Sequence, residues 1–75
     1  MDFTEFISNF AEALEIEDVS LLSGTTIFKE LEEWTSLAML DVIAMIDENY
    51  EVVVSPKEIR NISTLQELFE FIANK

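Results

Sequence analysis

Cysteine and histidine are absent from this chain, and glycine, proline and basic residues are scarce: one Gly, one Pro and four Lys or Arg. Without cysteine there are no disulfides to reinforce a small core, no thiolate metal ligands, and no pointer to an oxidising compartment. With histidine missing too, the commonest general base, the thiol nucleophile and the usual zinc ligands are all gone, so no self-contained catalytic set is expected. No apolar stretch reaches the roughly 20 residues of a membrane span. The opening MDFTEF carries acids where a secretory signal would carry Lys or Arg. A soluble cytoplasmic protein is expected.

What the chain has in excess is acid: 16 Asp and Glu against 4 Lys and Arg give a formal charge of −12 on 75 residues that are still 49% hydrophobic. Disordered acidic tails lack apolar residues to bury, so charge on this background belongs to a folded surface. The length allows one domain, residues 1–75, with one modest core. Its field repels nucleic-acid phosphates and anionic membranes and attracts basic protein surfaces, which makes a basic protein the expected partner of a monomeric chain. The plainer alternative is charge that only keeps a small protein in solution.

Apolar periodicity predicts an all-α fold. Phe3, Phe6, Ile7, Phe10 and Leu14 share one helical face, with Asp2 and Glu5 as a capping pair, for a helix over about residues 3 to 15. From Ile16 to Thr35 the pattern fades around the turn residues Ser23, Gly24, Thr25 and Thr26. A loop of about 20 residues is usually functional, and Val19, Leu21, Leu22, Ile27, Phe28 and Leu31 are expected to pin it across the core. A second helix starts near Thr35 or Ser36, either of which can cap it, and runs to about Asn49. Every residue from Leu37 to Ile46 except Asp41 is apolar, so one stripe cannot account for them all: Met39, Val42, Ile43, Ile46 and Tyr50 form one face, and Leu37 and Ala44 fall elsewhere. Ser55-Pro56 opens a short third helix over about residues 56 to 61, and Thr64 to Glu67 is a capping box opening a fourth. Val52 to Val54 could form a strand, but no second strand exists to pair with it.

Little of this is catalytic in pattern. Glu32 and Glu33 read as solvated surface rather than an acid–base pair, and no calcium-loop spacing exists. Asp47, Glu48 and Glu51 could bind divalent cations only weakly and without specificity. Ser36 has no base nearby in sequence to activate it, so its hydroxyl suits being modified better than catalysing. A phosphodiester there would sit at the positive end of a helix dipole, beside N–H groups without intrahelical partners. On spacing alone, a simple helix cap is the plainer reading.

Ser36-Leu37 opening an apolar helix, then Asp47-Glu48-Asn49-Tyr50, a short helix, and Ile62-Ser63-Thr64-Leu65-Gln66 together resemble the acyl carrier proteins over essentially the whole chain. That resemblance implies a four-helix bundle with a long loop between helices I and II and a short helix III. It implies a carrier, not an enzyme, with acyl groups held as thioesters on a 4′-phosphopantetheine arm on Ser36. The arm would come from coenzyme A through a phosphopantetheinyl transferase, and the clients would be enzymes of fatty-acid, polyketide or related biosynthesis. Their basic patches would dock on Leu37, Asp41, Asp47 and Glu48, although each acid reads equally well as solvent-facing charge. Leu40, Val42, Ile43, Ile46, Ile59, Ile62 and Leu65 would line the bundle interior where a chain can be held, or form plain core. Phe28 and Leu31 resemble the apolar residues of the family's loop, and Trp34 is similar to carriers encoded beside specialised biosynthetic enzymes. Thr35 stands where the family usually has Asp. An unmodified acidic interaction module on the same scaffold is the alternative.

Overall fold

Four side chains start the four α-helices: Asp2, Thr35, Ser55 and Thr64 each accept a backbone N–H from the first turn that follows. Each satisfies one donor that the helix cannot satisfy itself. In the computed structural model, which describes residues 2–75, these helices are α1 (Phe3–Ala13), α2 (Ser36–Tyr50), α3 (Pro56–Arg60) and α4 (Leu65–Ala73). The chain is all-α, and no strand occurs among the described residues. The capping boxes at Ser55–Glu58 and Thr64–Glu67 are reciprocal. At α1 only Asp2 bonds, to the Thr4 N–H, and Glu5 makes no return bond among the described residues.

The two long helices stop without glycine. After α1 the Ile16 N–H donates to Ala11 and the Glu15 N–H to Glu12 across 2.8 and 3.1 Å, a paired C-terminal cap that needs a left-handed residue, and Glu15 supplies it with φ 58°. The helix therefore ends two residues before the expected position. Glu51 also ends α2 in the left-handed region, with φ 55°, but through a single bond from its N–H to the Asp47 carbonyl, and α2 reaches Tyr50.

The long segment between α1 and α2 holds two single turns of 3₁₀ helix, Val19–Leu21 and Phe28–Glu30. The first is started by Asp18, whose carboxylate accepts the Ser20 hydroxyl and N–H and is held below the ordinary aspartate pKa by them. The segment is then stitched to the start of α4: the Leu65 and Gln66 N–H groups donate to the carbonyls of Thr26 and Gly24 at 3.1 and 3.0 Å. With Thr64 Oγ1 taking the Glu67 N–H and Glu67 Oε1 taking the Thr64 N–H, all four free donors of α4 are satisfied. Gly24 is needed for this close approach, since a Cβ there would lie 3.1 Å from Gln66 Oε1 and 3.3 Å from Gln66 Cβ.

The core gathers Phe6 and Phe10 of α1, Phe28 of the loop, Val42 and Ile46 of α2, Ile59 of α3, and Leu65 and Leu68 of α4, all fully buried. Of the loop residues expected to pin it, Leu22 and Phe28 are buried and Leu31 is half-buried, but Val19, Leu21 and Ile27 are exposed. Helix α2 buries only part of the face that the sequence groups together. Its buried stripe is Ala38, Val42, Met45 and Ile46, while Met39, Ile43 and Tyr50 are half-buried at its margins. Asn9 Nδ2 donates to the Tyr50 hydroxyl at 3.0 Å and clips α1 to the far end of α2. Val52 to Val54 is extended but unpaired, burying Val54 and exposing Val53. Near the C-terminus Lys75 pairs with Glu58 at 3.2 Å; the Ser55 N–H, then Lys75, hold the Glu58 carboxyl below its ordinary pKa.

Candidate functional site

Trp34, Thr35 and Ser36 occupy the joint between the loop and α2, and each has a different role. The Trp34 ring lies edge-on to Phe28 at 5.1 Å between centroids and nearly parallel to Phe10 at 6.4 Å, so the end of the loop is anchored on the core. Thr35 is extended (φ −134°, ψ 176°), and its Oγ1 accepts the Ala38 N–H at 3.0 Å. Between the two candidate caps, Thr35 is the one used. Ser36 is then the first helical residue, exposed, with no hydrogen bond to its hydroxyl among the described residues. The N–H groups of Ser36 and Leu37 are likewise without partners there.

Beyond the serine, Leu37, Asp41, Ala44 and Glu48 recur at i, i+4, i+7 and i+11 along one exposed face of α2. Leu40 and Asp47, seven apart, form the adjoining line. Leu37 is 73% and Leu40 53% exposed, so this face alternates apolar contact area with carboxylates. All four expected docking residues are brought together on it. Leu40, expected to line the interior, belongs to this surface instead; Val42, Ile46, Ile59, Ile62 and Leu65 are buried and Ile43 is half-buried.

Two of the grooves beside α2 adjoin these residues. One, of about 450 Å³, runs between α1 and α2, with Asp41 and Glu48 on one side and Glu12 on the other. Glu12 escaped sequence reasoning because its nearness to α2 depends on how the helices pack. The other, of about 430 Å³, begins at Thr35 and Ser36 and is bounded by Trp34, Met39 and Ile59, with Lys29 and Arg60 beside them. Lys29 Nζ donates to the carbonyls of Arg60 and Ile59 at 2.8 and 3.3 Å, capping the negative end of α3. Neither Lys29 nor Arg60 carries a motif that would announce it.

The arrangement offers an accessible hydroxyl without a base, flanked by an apolar–acidic face and a cation-bearing groove. No group of three or more potential metal-ligating side chains forms a metal site among the described residues. Nor is any described helix long and apolar enough to cross a membrane. Compared with known proteins, the chain matches no family model and no curated sequence.

Proposed function

We propose that this chain is an acyl-carrier-type domain that takes a 4′-phosphopantetheine arm on Ser36 and delivers acyl groups, held as thioesters, to biosynthetic enzymes. The observation that carries the reading is the division of labour at the start of α2. Thr35 performs the capping, which leaves the Ser36 hydroxyl exposed, without a hydrogen bond among the described residues, and open to modification without loss of helix structure. Four helices, with a long connection after the first and a short third helix, support the reading. In the modifying step Ser36 Oγ would attack the pantetheine-bearing phosphorus of coenzyme A. A new P–O bond forms, the pyrophosphate P–O bond breaks, 3′,5′-adenosine diphosphate leaves, and the hydroxyl proton passes to a base on the transferase. The resulting phosphodiester would lie by the unpartnered N–H groups of Ser36 and Leu37, where an anion is favoured.

Client enzymes would dock basic patches on the face that carries Leu37, Asp41, Asp47 and Glu48, the exposed leucines supplying contact area and the acids steering the encounter. In this reading the chain has no catalytic activity of its own and works in the cytoplasm beside those enzymes. Thr35 favours a second reading, an unmodified interaction module on the same acidic face, because the family's usual Asp is missing there.

Intact mass decides between them. The chain is incubated with coenzyme A, magnesium and a broad-specificity phosphopantetheinyl transferase, and the expected gain is one phosphopantetheine, absent in Ser36→Ala. No gain beside an active transferase control would favour the interaction module; a gain that persists in Ser36→Ala would remove Ser36 from the site.

A further inference from the structure

Positive charge is rare in this molecule, and half of it lines one groove. Of the four basic residues, Lys29 and Arg60 both border the groove that begins at Ser36. In a chain with 16 carboxylate side chains, neither forms an ion pair among the described residues, where the single pair is Lys75–Glu58. Lys29 has its ammonium turned to the carbonyls of Ile59 and Arg60. The Arg60 side chain, in contrast, is exposed and makes no hydrogen bond among the described residues. A guanidinium presents a planar fork of donors that matches a carboxylate or phosphate through two parallel bonds. The half-buried Trp34 and Met39 side chains give the same groove an apolar wall.

We propose that this groove is an anion-recognising subsite, in which Arg60 pairs with a phosphate or carboxylate on a ligand whose body rests against Trp34. Two sources supply that chemistry: the phosphate of a pantetheine arm, or a free carboxylate on the acyl group at its end. Lys29 adds to the field and holds the α3 terminus in place, and Arg60 makes the contact. The subsite rests on the carrier reading for the identity of its ligand. Its test needs no modification of Ser36, so the two can fail separately.

Trp34 is the only tryptophan and lines the groove, which makes its fluorescence a direct reporter. The unmodified chain is titrated with three probes: pantetheine, which is neutral; 4′-phosphopantetheine, which adds the phosphate; and S-succinyl-pantetheine, which adds a carboxylate alone. At least one anionic probe is expected to bind about fivefold more tightly than pantetheine, the size of one exposed ion pair. Arg60→Gln should erase that difference, Arg60→Lys should restore part of it, and Lys57→Gln, a change on α3 outside the groove, should leave it intact. Preference for 4′-phosphopantetheine alone assigns the anion to the arm, preference for the succinyl probe alone assigns it to the cargo, and preference for both assigns it to each. Equal binding of all three, an unchanged preference in Arg60→Gln, or no response to either anionic probe in the millimolar range overturns the proposal.

Discussion

Thr35 holds the first turn of α2 through one bond, from the Ala38 N–H to its Oγ1, while the adjacent Ser36 hydroxyl bonds to nothing described. Thr35→Ala should therefore cost about 1 kcal/mol, lowering the melting temperature of a domain this small by about 4–8 °C. Ser36→Ala should stay within about 0.5 kcal/mol of the parent. Equal losses from the two substitutions in thermal denaturation would reverse the assignment of the cap. Thr35→Asp keeps an accepting oxygen and places negative charge at the positive end of the dipole, so its stability should match or exceed the parent by up to about 1 kcal/mol. On the carrier reading, it should also raise the rate of Ser36 modification. Glu51 is a second informative residue, because a side chain occupies a left-handed position at the negative end of α2. Glu51→Gly removes both the steric conflict and an unfavourable charge and should stabilise by about 0.5–1 kcal/mol. Glu51→Ala removes only the charge. A urea midpoint that rises no further for Gly than for Ala would show that the backbone conformation is unstrained.

Among the elements, the long loop is the one whose position decides the site, and Phe28 is its anchor. That ring is fully buried, 5.9 Å from Phe10 and 5.1 Å from Trp34 between centroids, so it links the loop to α1 and to the residue two before Ser36. Phe28→Ala should cost about 3–5 kcal/mol. A chain of this length has a total stability of only about 4–11 kcal/mol. The variant should thus be marginally folded at room temperature, with Trp34 emission shifted to the red as its ring loses its packing. Phe28→Leu keeps most of the buried area and should keep the native emission. Native emission and an unchanged melting temperature in Phe28→Ala would mean that the backbone stitches at Thr26 and Gly24 position the loop without the ring.

For the whole molecule, the dominant fact is a charge of −12 with a single ion pair among the described residues, Lys75–Glu58. Mutual repulsion of surface carboxylates opposes the compact state, and salt screens it. Raising sodium chloride from roughly 0.01 to 0.5 M should raise the melting temperature by on the order of 5 °C. A melting point that ignores salt would show that the carboxylates are too dispersed to repel each other in the folded chain. The same field predicts the kinetics of docking: association with a basic partner should slow as salt rises, and Asp41→Lys or Glu48→Lys should lower the on-rate at constant fold.

The sequence by itself determined the features governed by neighbours within one helical turn. Asp2, Ser55 and Thr64 mark helix starts, and α2 is narrowed to Thr35 or Ser36, because a capping oxygen and the N–H it accepts lie two or three residues apart. The all-α class and the sign of the surface field followed from periodicity and composition. The helix ends were less legible, since Glu15 and Glu51 adopt the conformation that glycine usually signals. Tertiary structure alone decided which face of α2 is buried, because almost every residue of its first three turns is apolar and only the packing partner separates Ala38 and Val42 from Leu37 and Leu40. It also decided the groove beside Ser36. Lys29 and Arg60 stand 31 residues apart, and no local pattern records that folding brings them to the same serine.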